Sequence, residues 1–207
     1  MKVAVVDYGV GNLKSVAGAL KLAAGARSAD VIVTSCASVL KACDRVVLPG
    51  VGSFGGCWRK LQACALADAL CHVALVTKLP VLGVCVGMQL MASLSLEGAK
   101  TAGFNWLPGV VTRLPSRAGR VPHVGWNRLQ VLRPHCLFSK LPTTTAYFVH
   151  SYQYTPLAAN SIVAVTTHGV KLTAAIASAN LAGVQFHPEK SHALGVAMFR
   201  NFLSWRP

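Results

Sequence analysis

The run Pro80-Val81-Leu82-Gly83-Val84-Cys85-Val86-Gly87-Met88 decides how the chain is read. Residues 80–84 are apolar, rich in β-branched side chains and too few for a helix, which predicts a buried strand. A helix opens at Met88, so glycines flank a cysteine at a strand-to-helix turn, the grammar of a nucleophile elbow. Such a turn lifts the central side chain above a sheet with neighbouring N–H groups exposed, and a helix N-terminus favours a thiolate. A cysteine without this setting is usually an inert buried one. The Gly-x-Cys-x-Gly context is what makes Cys85 a candidate nucleophile.

Upstream, the same strand-and-helix order recurs. Residues 2–7 form an apolar strand, residues 8–12 a turn, and residues 13–24 a helix with Leu13, Val16, Leu20 and Ala24 at helical spacing and Gly25 as its stop. Residues 31–34 predict a second strand, residues 35–43 a short helix capped by Ser35, and residues 45–48 a third strand closing at Pro49-Gly50. A glycine-rich loop over 50–56 leads into a helix from about 58 to 76. Short apolar strands alternating with helices call for a parallel sheet covered on both faces. Beyond Leu96 prolines punctuate short β-rich pieces at 110–114, 147–149 and 162–167, which predicts antiparallel or mixed pairing, and a last helix runs from about 193 to 205. The fold class expected is α/β: a mostly parallel central sheet flanked by helices, with an antiparallel or mixed β extension. No repeat or linker interrupts residues 1–207, so one domain is expected, with a boundary near 97 dividing two layers of it.

Composition excludes several classes. Hydrophobic residues make up 53% and charged ones 13% of the chain, the opposite of a disordered composition. Seven cysteines without a CxxC pair, and an N-terminus without a leader-like apolar run, fit a reducing, cytoplasmic setting. The stretch 79–96 is about one bilayer span long, but Pro80, Gly83, Gly87 and Gln89 break it into strand, turn and helix, so no membrane span is expected. Lys and Arg number 20 against 6 acids, a net charge of +14. From residue 98 onward Glu189 is the single acid, and the basic residues are scattered without a nucleic-acid-binding pattern. Scarcity of acids explains the charge, and no specific nucleic-acid partner is expected. Cys57, Cys64 and Cys71 recur every seven residues and read as a buried stripe on their helix rather than a metal site. No metal or cofactor is expected.

Two further stretches carry chemistry. In Gly183-Val184-Gln185-Phe186-His187-Pro188-Glu189, a histidine and a carboxylate two apart in an extended segment project to one side, as a general base and the group orienting it would. Pro49-Gly50-Val51-Gly52-Ser53-Phe54-Gly55 follows the third strand, at the carboxyl edge where ligands bind in open α/β sheets, and its N–H groups would suit an oxyanion.

Gly83-Val84-Cys85-Val86-Gly87-Met88-Gln89 together with Phe186-His187-Pro188-Glu189 resembles the class I glutamine amidotransferases. Within them, Asp7 to Asn12, Pro49 to Phe54, Pro122 to Asn127, Tyr147 to Tyr152 and His187 to Ser191 resemble the glutaminase subunits of imidazole glycerol phosphate synthases. The resemblance implies a Cys85, His187, Glu189 triad that hydrolyses glutamine, with an oxyanion hole from Val86 and from Val51 or Gly52. It implies glutamine contacts at Gly52, Gln89, Glu97, His150, Ser151 and Tyr152. It also implies a heterodimer with a (β/α)8 cyclase subunit that consumes the ammonia in histidine biosynthesis, docked at Asn12, Trp126, Tyr147 and Lys190. A catalytically silent activator of the cyclase and a basic nucleic-acid-binding protein are the rival functions.

Overall fold

The computed structural model describes residues 1–25 and 29–207. The chain opens with β1 (Lys2–Val6), α1 (Leu13–Ala24), β2 (Asp30–Thr34), α2 (Ala37–Lys41) and β3 (Arg45–Gly50). It continues through α3 (Phe54–Ala63), α4 (Leu66–Cys71), a π turn at His72–Val76, β4 (Val81–Cys85) and a single helical turn, α5 (Val86–Gln89). Strands β1 to β4 are parallel and lie in the order β2-β1-β3-β4. The side chains of β1, β3 and β4 are mostly buried on both faces, so these strands read as continuous apolar runs, while the edge strand β2 is only partly buried. Ridges of α1 and of the final helix pack together, while α2 lies against α4.

The second half is β-rich: β5 (Leu94–Ser95), β6 (Thr101–Ala102), β7 (Gly109–Arg113), β8 (His123–Val131), β9 (Thr145–His150), β10 (Tyr152–Pro156), β11 (Ile162–His168), β12 (Val170–Ser178) and β13 (Leu181–Val184), before α6 (His192–Ser204). The expected antiparallel extension is present, but it is not a separate layer. Strand β13 inserts parallel beside β4, with Gly183 opposite Gly83, and β12, β11, β8 and β9 continue the same nine-stranded sheet antiparallel. The boundary expected near residue 97 therefore does not divide the large sheet, which takes strands from both halves of the chain. The apolar run Leu181–Val184 is wholly buried, and only a central position in the sheet covers both of its faces. A smaller sheet, β10-β7-β5-β6, flanks the large one. A continuous apolar core runs from Val3 to Trp205 and includes Tyr8, Phe54, Phe148, Phe186 and Phe202. No helix among the described residues is long and apolar enough to cross a membrane.

Three local expectations change. The cap of α2 is Cys36 rather than Ser35; its N–H bonds the Thr34 hydroxyl at 3.0 Å. The helix expected over 58–76 begins at Phe54, because the Ser53 hydroxyl accepts the Gly56 N–H at 3.2 Å, and it breaks at Ala65 (φ 53°). The break has a packing cause. Leu61 and Leu66 are both fully buried, yet five residues place them on different sides of a continuous helix, and the left-handed residue resets the phase. It also undoes the cysteine stripe: Cys57 is buried, Cys71 half-buried and Cys64 exposed.

Candidate active site

Parallel pairing of β3, β4 and β13 brings three separate segments to one sheet edge. Gly50 lies opposite Cys85 and Val184 opposite Val84, so the glycine loop, the elbow and the segment leading to His187 emerge side by side. Cys85 adopts φ 55°, ψ −112°, a conformation that L side chains rarely take. The glycines around it are required by contact: a Cβ on Gly87 would sit 1.8 Å from the Leu48 carbonyl oxygen, and one on Gly83 would sit 2.6 Å from that of Gly87. Because α5 is one turn long, a helix dipole offers Cys85 little. The sulfur instead receives a side-chain donor, the amide nitrogen of Gln185 at 3.7 Å.

His187 is 3% exposed, and its Nδ1 lies 2.9 Å from Glu189 Oε1. The expectation of a fully extended His-x-Glu is corrected: His187 is extended, but Pro188–Lys190 is a 3-10 turn that folds the carboxylate back under the ring. A carboxylate accepts, so Nδ1 carries the proton and Nε2 is left for the cysteine side. Burial alone would lower the imidazole, but the Cys85 sulfur and the Glu189 carboxylate outweigh it and raise the group, so the ring readily takes up a proton that the thiol releases. The backbone is clamped as well, since Ser191 Oγ donates to the His187 carbonyl at 2.6 Å and accepts the Tyr147 N–H at 3.0 Å.

Cys85 and His187 open onto a cavity of about 460 Å³, which Val51, Gly52, Val86, Gln89, Glu97, His150, Ser151, Tyr152 and Lys190 also line; Glu189 sits behind the histidine. Gln89 spends its amide nitrogen on the Tyr152 carbonyl (3.1 Å) and on Gln185 Oε1 (2.9 Å), so what it can offer a ligand is its oxygen. Glu97 Oε2 accepts the Phe54 N–H at 2.7 Å, at the start of α3. His150 has both ring nitrogens engaged, Nδ1 with the Tyr152 carbonyl (2.8 Å) and Nε2 with His123 Nδ1 (2.9 Å), and can therefore meet a ligand through its backbone and ring face only.

A model of the family "Glutamine amidotransferase class-I" matches residues 4–205. The chain belongs to the class I glutamine amidotransferases. It is 44% identical to the "Imidazole glycerol phosphate synthase subunit HisH" of Mesorhizobium japonicum, with all of both chains covered, and 43% identical to the protein of that name from Caulobacter vibrioides, with 99% of each covered. Among solved structures, one titled "Crystal structure of glutamine amidotransferase" is similar at TM-score 0.76 and 18% identity, over 98% of this chain and 97% of the other. PurLQS from Thermotoga maritima is similar at TM-score 0.71 and 18% identity, with the same coverage.

Of the remaining expected residues of this amidotransferase, Lys190 lines the cavity, and Trp126 and Tyr147 cluster with it. Trp126, half exposed, stacks on His192 with centroids 5.0 Å apart and meets the Tyr147 ring at 5.7 Å, while the Lys190 ammonium lies 5.7 Å over that ring. Asn12 stands before α1, a helix that packs against the Pro188–Lys190 turn. The roles of four residues were not read from the sequence. Tyr8 donates its hydroxyl to the Pro49 carbonyl at 2.7 Å, and Cys57 donates its thiol to the Val51 carbonyl at 3.3 Å. Burial raises both groups, so both stay protonated donors that hold the glycine loop. His168 stacks on His123 at 4.1 Å. Gln185, a polar residue at the end of an apolar strand and 0% exposed, carried the one signal that was legible beforehand.

Proposed function

We propose that this chain is the glutaminase subunit of an imidazole glycerol phosphate synthase, hydrolysing glutamine to glutamate and ammonia for a (β/α)8 cyclase partner in histidine biosynthesis. The observation that carries the reading is the Glu189-held tautomer of His187, which leaves Nε2 for the Cys85 side of the cavity. The names of the relatives support the pathway and the existence of a second subunit.

The chemistry follows in order. His187 Nε2 takes the Cys85 proton, and the sulfur attacks the side-chain amide carbon of glutamine while the C=O electron pair moves to oxygen. The N–H of Val86 and one from Val51 or Gly52 meet that oxyanion. Collapse expels ammonia, with the proton returned by His187, and leaves a thioester. Water, deprotonated by the same ring, then releases glutamate. Gln89, Glu97 and the backbone of His150 to Tyr152 hold the amino-acid end of the substrate, with Gln89 accepting through its oxygen.

Ammonia is useful only if it escapes water, which requires a partner sealed over the mouth. The exposed apolar side chains Val124, Trp126 and Val149 support docking there, together with Tyr147, Lys190 and Asn12. The Cys85→Ser variant, co-purified with the cyclase, tests the reading. Glutamine-dependent synthesis should vanish while ammonia-dependent synthesis by the complex persists; glutamine hydrolysis near the wild-type rate would remove Cys85 as nucleophile.

A further inference from the structure

Gln185 is fully buried just after β13, its backbone N–H bonded to the Ala174 carbonyl at 2.9 Å. An amide costs free energy in such a place unless both ends are satisfied. Its orientation follows from its surroundings. The Tyr152 carbonyl can only accept, so the Gln89 atom 3.1 Å from it is the amide nitrogen. That same nitrogen lies 2.9 Å from Gln185, which must therefore present its oxygen there. The other end of the Gln185 amide, its NH2, is then the group facing Cys85 Sγ at 3.7 Å. Turning either amide over would set donor against donor or oxygen against oxygen.

The anchor of this chain is itself pinned from outside. The Tyr152 carbonyl also accepts His150 Nδ1–H, so the neutral His150 ring must accept at Nε2, and His123 donates to it from Nδ1. His123 Nε2 then accepts from Asn127 Nδ2 at 3.2 Å, whose other proton goes to the Thr167 carbonyl at 2.8 Å. Every donor and acceptor from Asn127 to Cys85 has one consistent assignment.

We infer that Gln185 is a catalytic residue: its amide N–H donates to the Cys85 sulfur and stabilises the negative charge that forms there when the thiol proton passes to His187. This rests on the glutaminase reading of the site. A sulfur anion accepts an N–H far better than a thiol does, so a donor that cannot turn away favours the charged form without reorganising. As the C–S bond forms and the charge moves to the substrate oxygen, the same N–H is left against the neutral sulfur of the tetrahedral adduct.

The test uses the complex with the cyclase subunit and two variants, Gln185→Leu, which removes the donor, and Gln185→Glu, which keeps the size and the oxygen facing Gln89. Co-elution with the partner reports folding. The readouts are the iodoacetamide alkylation rate of Cys85 at fixed pH, located by peptide mass spectrometry, and kcat and KM for glutamine. Both variants should lose about ten- to a hundredfold in alkylation rate and in kcat, and KM should change little in the Glu variant, which still accepts from Gln89. Alkylation at the wild-type rate in the Glu variant, or a loss confined to KM, overturns the inference. Wild-type enzyme that stays fully active once Cys85 is labelled overturns the glutaminase reading beneath it, an outcome the variant rates do not imitate.

Discussion

The strain at Cys85 belongs to a single residue and separates function from stability. At φ 55°, ψ −112° any side chain with a Cβ is disfavoured, and glycine is not. Cys85→Ala and Cys85→Gly should both lack glutaminase activity, but they should differ in stability. Strain relief of roughly 1–3 kcal/mol, less the extra chain entropy of glycine, leaves the Gly variant about 1 kcal/mol more stable. Urea denaturation followed by circular dichroism reads the difference. An Ala variant as stable as the Gly variant would mean that the elbow is relaxed in solution.

At the scale of elements, the β8–β9 ladder pairs His123 with His150 and buries both. Burial, reinforced by the neighbouring histidines, lowers each ring to about 4, against an unfolded value near 6.5. Between those limits the unfolded chain binds more protons than the folded one. The contribution to stability is therefore complete above about pH 6.5 and is lost as pH falls toward about 4. The melting temperature should drop by several degrees on going from about pH 7 to 4.5. His123→Asn places an amide nitrogen where Nδ1 donates and cannot take up the proton, so its melting temperature should fall less. Equal slopes in scanning calorimetry for the two proteins would show that the acid sensitivity lies elsewhere.

At the scale of the molecule, the glycine loop after β3 lines the same cavity as Cys85, and it is the segment through which the proposed partner would act on the site. Tyr8 and Cys57 hold the carbonyls of Pro49 and Val51, while Gly52, at φ 88°, keeps a conformation open to rearrangement. The isolated chain should be a poor glutaminase, and the cyclase with its nucleotide substrate should raise the rate by orders of magnitude. About 4 kcal/mol of differential stabilisation of the active loop arrangement corresponds to a thousandfold. Steady-state rates for the chain alone, with partner, and with partner plus nucleotide measure the effect. Equal rates in all three would end the coupling and leave the triad assignment intact.

The sequence by itself determined the strand and helix units of the first half, the elbow, and the candidates Cys85, His187 and Glu189. These features are local: apolar periodicity, a glycine that backbone contact demands, a histidine two residues from a carboxylate. Helix α1 falls on the residues its spacing marks, and β4 ends at the cysteine. Only the tertiary structure decided that β13 lies beside β4, that the helix after the glycine loop breaks at Ala65, and that Gln185 aims its amide at a sulfur 100 positions earlier. None of these has a local signature. Strand pairing across such separations is chosen by which apolar faces can be covered together, and the direction of a buried amide is chosen by whichever donors and acceptors the packed chain brings against it.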